Sequence, residues 1–176
     1  MRQNTKLTLS AIMAALSTAV MLLSYFPYLT YAIPAVAGLF IMVVLIEANW
    51  KWAFGAYAVS AVLTFLFAEP ESKLMYICFF GYYPIAKALI ERINKNIPEW
   101  ILKLGIFNAA VVGAYFAFSS VLGVSLSDFE ILGKYGAAVF LLAGNVVFVV
   151  YDIAVSRMAT VYFNVLHLRL KKLLKL

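Results

Sequence analysis

The run LTLSAIMAALSTAVMLL, residues 7–23, decides how the rest of the chain is read. It is apolar for nearly the length of a membrane span, and its small residues follow a helical repeat. Ala11, Ala15 and Ala19 recur every fourth residue, with Ser10, Ala14, Ser17 and Thr18 beside them. Residues four apart stack on one helix face, so one side of this segment is nearly smooth. Leu9, Ile12, Met13, Leu16, Val20 and Leu22 put bulk elsewhere. In lipid, apolar bulk does not select a partner, and helix backbones approach closely at stripes of small residues. The ladder is therefore either a packing groove within this chain or a docking face for another membrane protein.

Composition extends the membrane reading to the whole chain. Of 176 residues, 65% are apolar and 12% charged, with a mean hydropathy of +0.96. Soluble domains carry about 25% charged residues, so no polar shell can be built here. The apolar runs are continuous, whereas a β-barrel would alternate polar and apolar residues. The expected fold is all-α, a single polytopic membrane domain. The one cysteine, Cys78, excludes an internal disulfide and a cysteine-based metal cluster. The first segment is too long for the apolar core of a cleavable signal and is read as a retained span.

Six spans are expected, at about 7–25, 32–46, 52–67, 74–90, 101–122 and 136–157, followed by a basic helical tail, 158–176. Gly81 and Pro84 interrupt the fourth, and Glu47, Asn49, Trp50 and Lys51 form a tight hinge between the second and third. With the N-terminus inside, Arg2, Lys6, Lys51, Arg92, Lys95, Lys103, Arg157, Arg169, Lys171, Lys172 and Lys175 fall on the cytoplasmic side. Only Lys73 and Lys134 then lie outside. That asymmetry orients both termini to the cytoplasm of a multi-pass cell-membrane protein. It also explains the net charge of +6 without a nucleic-acid patch. The tail from His167 to Leu176 alternates leucines with cations, which suits the anionic inner leaflet or a prolonged last helix.

No constellation for catalysis is present. The single histidine, His167, lies in the basic tail, and no phosphate loop, nucleophile elbow or paired-histidine motif occurs. The acids are scattered singly rather than clustered for a metal. The expectation is a non-enzyme without cofactor or metal.

Polar groups within spans are costly in lipid and so point to function or to helix pairing. At 1.5 Å rise per residue, Lys87, Asp152 and Glu47 share a level roughly 21–25 Å below the outer surface. They either mark the inner boundary or tie spans together as a Lys87–Asp152 or Lys87–Glu47 pair. Nearer the outside lie Tyr76, Phe80 and Tyr83 in span four, Tyr115 in span five and Asn145 in span six. Above them are loops carrying Tyr25, Tyr28 and Tyr31, then Glu69, Glu71 and Lys73, then Asp128, Glu130 and Lys134. Such a set suits either a pocket that stacks a flat ligand on aromatic rings or an interfacial aromatic belt. Asn145, within a span, requires a polar partner, either a ligand or a neighbouring helix.

With these features together, the chain resembles a substrate-binding (S) component of an energy-coupling factor transporter. The resemblance rests on six spans in a short chain with both ends inside, the Ala11–Ala15–Ala19 ladder, the hinge between spans two and three, and the basic tail. It implies capture of a vitamin or similar micronutrient from outside by Tyr28, Tyr31, Lys73, Tyr76, Phe80, Tyr83, Tyr115, Asp128, Lys134 and Asn145. It implies docking of Ala11, Ala15 and Ala19 onto a transmembrane T component, with two ATPase subunits supplying energy. No substrate signature is legible; a flavin, pterin, pyrimidine or pyridine would all suit the aromatic content. The alternatives are a stand-alone small carrier and an accessory or assembly membrane protein without ligand.

Overall fold

The structure is a computed structural model that describes residues 3–26, 28–122 and 136–167. The described residues are helical throughout their regular elements, α1 (Gln3–Met21), α2 (Ala32–Glu47), α3 (Trp50–Phe67), α4 (Pro70–Met75), α5 (Tyr83–Ile90), α6 (Asn96–Leu122) and α7 (Gly136–Val161). The expected all-α class holds. Among the described residues, four stretches are long and apolar enough to cross a membrane, Gln3–Tyr25, Trp50–Phe67, Asn96–Ala114 and Leu141–Val165. Of the other two expected spans, α2 has only 16 residues, about 24 Å against a hydrocarbon core of about 30 Å. The remaining one is broken, as Gly81 and Pro84 suggest. It runs α4, a π-helical turn (Tyr76–Phe80), the pair Gly81–Tyr82, then α5.

Local signals place the ends. Asn49 caps α3, its side-chain oxygen accepting the Lys51 and Trp52 amides at 2.9 and 3.3 Å. Glu69 caps α4 by accepting the Ser72 amide at 3.0 Å, with Pro70 in the first turn, where its missing N–H is harmless. Asn94, in the left-handed region at φ 53°, closes the 3-10 turn Glu91–Ile93 that follows α5.

α1, α2 and α3 pack together through small side chains. The buried face of α1 is Leu9, Ser10, Ala14, Ser17 and Met21; that of α3 is Ala53, Ala56, Ser60 and Thr64. Between them α2 buries Ala37, Gly38, Ile41 and Val44. Small residues let these backbones approach, with Ile41 and Val44 filling the seam. α2 also meets the broken helix directly: a Cβ on Gly38 would lie 2.3 Å from the Phe80 carbonyl oxygen. Only glycine permits that approach.

The second half packs by large rings. Phe79, Tyr83 and Phe148 form its buried centre, with Phe80, Phe107 and Tyr151 against them. Phe107 and Phe148 stack at 4.8 Å between centroids, while Phe79 meets Phe107 edge-on at 5.3 Å.

Candidate functional site

The alanine ladder is not the packing groove of α1. Ala11, Ala15 and Ala19 are exposed, and the neighbouring stripe Ser10, Ala14 and Ser17 makes the internal contacts instead. The ladder is thus a smooth, uncovered strip flanked by exposed Ile12 and Leu16.

At one end of the molecule the α1–α2 and α3–α4 connections are tied together. The Tyr31 hydroxyl donates to Glu71 at 3.2 Å, Ser72 Oγ to the Thr30 carbonyl at 2.8 Å, and the Tyr25 hydroxyl to the Phe67 carbonyl at 3.0 Å. The Glu71 charge, and then its hydrogen bond, raise the Tyr31 hydroxyl above the ordinary phenol range. Lys73 lies over the Phe65 ring at 5.2 Å. Tyr28 is 98% exposed with a left-handed backbone, φ 70°. Asp128 and Lys134 lie outside the described residues, as does the side chain of Tyr115.

Tyr76 and Asn145 are engaged by neighbouring helices. The Tyr76 hydroxyl is buried between Ser17 Oγ at 2.8 Å and Ser60 Oγ at 2.7 Å, and Ser17 donates to the Ala37 carbonyl at 3.0 Å. Because each hydroxyl carries one proton, the relay Ser60 to Tyr76 to Ser17 to Ala37 satisfies every member. It joins the broken helix to α1, α2 and α3 through one ring. Asn145 pairs reciprocally with Asn108 of α6, at 3.0 and 3.1 Å. Phe80 packs edge-on to Tyr151 at 4.9 Å between centroids.

The densest chemistry lies at the opposite end, where α5, α6 and α7 meet. Lys87 is paired with Asp152, not Glu47, and four charges close a ring. Lys87 bonds Asp152 and, at 3.0 Å, Glu91; Lys103 bonds Glu91 at 2.8 Å and Asp152 at 3.4 Å. Signs alternate around the ring, and its sum is neutral. Tyr83 donates to the same Asp152 oxygen as Lys87, which also reaches the Asp152 carbonyl at 3.2 Å. The side chains of Lys87, Lys103 and Asp152 are 5–6% exposed, and that of Glu91 is 42% exposed. Burial opposes the Glu91 charge, but the hydrogen bonds and charges of Lys103 and Lys87 outweigh it and hold the carboxyl below the ordinary glutamate range. Lys103 also lies 5.5 Å from the Trp100 ring centroid.

Beside the ring is a cleft of about 260 Å³ between α2, α5 and α7, with Met42, Pro84 and Val155 in its wall next to Lys87, Glu91 and Ser156. The Tyr151 hydroxyl is buried without a hydrogen-bond partner. At the far end of α2, Glu47 accepts from Tyr162 at 2.8 Å and is bonded to His167 at 2.7 Å, which fastens the end of the last helical run to α2.

Sequence reasoning placed Lys87, Asp152 and Glu47 at one level but overlooked Lys103, Glu91 and Asn108. Glu91 was within reach, lying four residues after Lys87 on a continuing helical path. Lys103 and Asn108 carry no local signal, because the partners of Lys103 are 12 and 49 residues away and that of Asn108 is 37 away, all beyond the reach of one helix's repeat.

Fold and site define an all-helical chain with several apolar helices compatible with a membrane. No family model, curated protein or solved structure matches it.

Proposed function

We propose that this protein is the membrane-embedded substrate-binding subunit of an energy-coupling factor type importer, spanning the cell membrane six times with both termini in the cytoplasm. It captures a vitamin or related micronutrient from outside and delivers it through a transmembrane T component driven by two ATPase subunits. The observation that carries this reading is the ladder on α1. One face of α1 is fully engaged by α2 and α3, while Ala11, Ala15 and Ala19 stand uncovered beside it. A smooth strip facing lipid is where a second membrane protein docks by close backbone approach. The positive-inside asymmetry supports the orientation, and the tied loops bearing Tyr31, Glu71 and Lys73 then face outward. Lacking catalytic and nucleotide-binding motifs, the chain would bind rather than transform its substrate.

A second reading, an accessory membrane protein without ligand, draws support from Tyr76 and Asn145. Both polar groups are satisfied by neighbouring helices rather than turned into a pocket. Small molecules released by heat from gently purified protein, identified by mass spectrometry, separate the two. A near-stoichiometric vitamin-like compound establishes the transport subunit. Protein that stays empty after exposure to a vitamin panel removes it. In parallel, Ala15→Trp is expected to abolish co-purification of membrane partners while leaving ligand content unchanged.

A further inference from the structure

Span four is the one apolar stretch broken in the middle among the described residues. Its second piece, α5, has eight residues. It lies between the Gly81–Tyr82 turn and the 3-10 turn Glu91–Ile93, which the left-handed residue Asn94 closes, so regular α-helical bonding lapses at both its ends. Pro84 cannot donate to the Phe80 carbonyl, which removes one backbone bond across the first break. A helix this short is held by what grips its side chains rather than by its own backbone bonds.

That grip is the charge ring. α5 contributes Lys87, and Glu91 follows directly in the next turn; α6 and α7 contribute Lys103 and Asp152. Three ring members are enclosed, and the fourth, Glu91, is half-open to solvent and borders the cleft along with Lys87. Well-packed apolar residues usually replace buried ion pairs without loss of stability. A ring of ionic contacts differs from such packing in that its pairs are released one at a time. Removing the Glu91 charge leaves two ammoniums against one carboxylate, with Asp152 the one remaining bridge between Lys87 and Lys103 and α5 without its outer ion pairs.

We propose that α5 is a gate, shut by the Lys87–Asp152–Lys103–Glu91 ring, whose release widens the cleft between α2, α5 and α7 to water. Glu91 is its release point, because it is the ring member that solvent or another molecule can reach. The proposal concerns movement within this chain and does not depend on the transport reading or on any partner.

The test follows entry of water into the cleft. In a Cys78→Ser background, Val155→Cys places a thiol in the cleft wall, where the native side chain is 3% exposed. Ser72→Cys, in a separate variant, places a thiol at a fully buried position at the opposite end. Each is reconstituted in nanodiscs and labelled with a charged, water-soluble maleimide, with and without Glu91→Gln. Glu91→Gln is expected to speed labelling at position 155 by about tenfold or more and to leave position 72 unchanged. Equal rates at position 155 in both backgrounds overturn the gate. Acceleration at both positions also overturns it, since that reports general loosening. Should Val155→Cys fail to fold, Met42→Cys, 5% exposed on the α2 wall, serves in its place.

Discussion

The two halves of this protein solve the packing problem of a membrane helix in opposite ways. α1, α2 and α3 bring backbones together by removing side chains. Their seam is Ala14, Ala37, Ala53, Ala56 and Ser60, with the hydroxyls of Ser17 and Ser60 as short-range glue. α5, α6 and α7 are held apart and filled, by the aromatic group around Phe79 and by the ring of four charges. Close packing of small residues is dispersive, non-directional and hard to reverse in steps. Charge pairs are directional and can be released one at a time. The first half is suited to being a fixed block with one free face, and the second to changing shape. Tyr76 joins them, standing in the broken helix while bonding to α1 and α3.

Breaking the charged half should cost most. Asp152→Ala leaves Lys87 and Lys103 buried with a single, half-exposed carboxylate between them. We expect a loss of about 3–5 kcal/mol in thermal unfolding of the detergent-solubilised protein. The paired change Lys87→Met with Asp152→Leu should recover most of it, since no uncompensated buried charge is created in that pair. If the double variant is no better than the single, the ring is not the source of the loss.

Where α2 meets the broken helix, added volume rather than lost charge should matter. Gly38→Ala sets a methyl 2.3 Å from the Phe80 carbonyl oxygen, which only a backbone shift can relieve. A destabilisation of about 1–3 kcal/mol is expected. Gly55→Ala, where a Cβ meets nothing within 4 Å, is the matched control and should be neutral or better.

At the junction, Tyr76→Phe removes one hydroxyl and leaves Ser60 free to donate to the Tyr57 carbonyl, which it already approaches at 3.0 Å. The expected loss is only about 0.5–1.5 kcal/mol, in line with hydrogen bonds between membrane helices. A larger loss would mean that the relay, not the close Gly38–Phe80 approach, holds the halves together.

The smallest effect is one of pH. The Glu91 carboxyl is held below the ordinary glutamate range in the folded protein, so its pairing stabilises above that range and is lost as acid drives pH through the lowered value. Unfolding of the native protein should therefore show a shallow acid-side loss that Glu91→Gln lacks. Parallel acid limbs in the two proteins would assign the titration to another carboxylate.

Much of this organisation was legible in the chain itself. Continuous apolar runs, the hinge around Asn49 and the interruption at Gly81 and Pro84 act over a few residues, where helical period and backbone chemistry decide alone, whereas Pro70, expected in a loop, opens α4. The common level expected for Lys87, Asp152 and Glu47 was less readable: Lys87 does meet Asp152, but Glu47 bonds Tyr162 and His167, well beyond Asp152 along the last helical run. Which face of α1 turns inward was not readable. Ser10, Ala14 and Ser17 are as small as Ala11, Ala15 and Ala19, and a rotation of one residue, about 100°, exchanges them.

Sequence by itself determined an all-helical, lipid-compatible chain and the weak point in its fourth apolar stretch. These follow from local periodicity and from the expense of polar groups in an apolar medium. Only the tertiary structure decided that the alanine ladder stays uncovered, that Asn145 takes Asn108, and that Lys103 and Glu91 complete a ring with Lys87 and Asp152. Those choices depend on helix rotation and on partners dozens of residues apart. Nothing in a single helix's own pattern encodes the angle at which it meets the next.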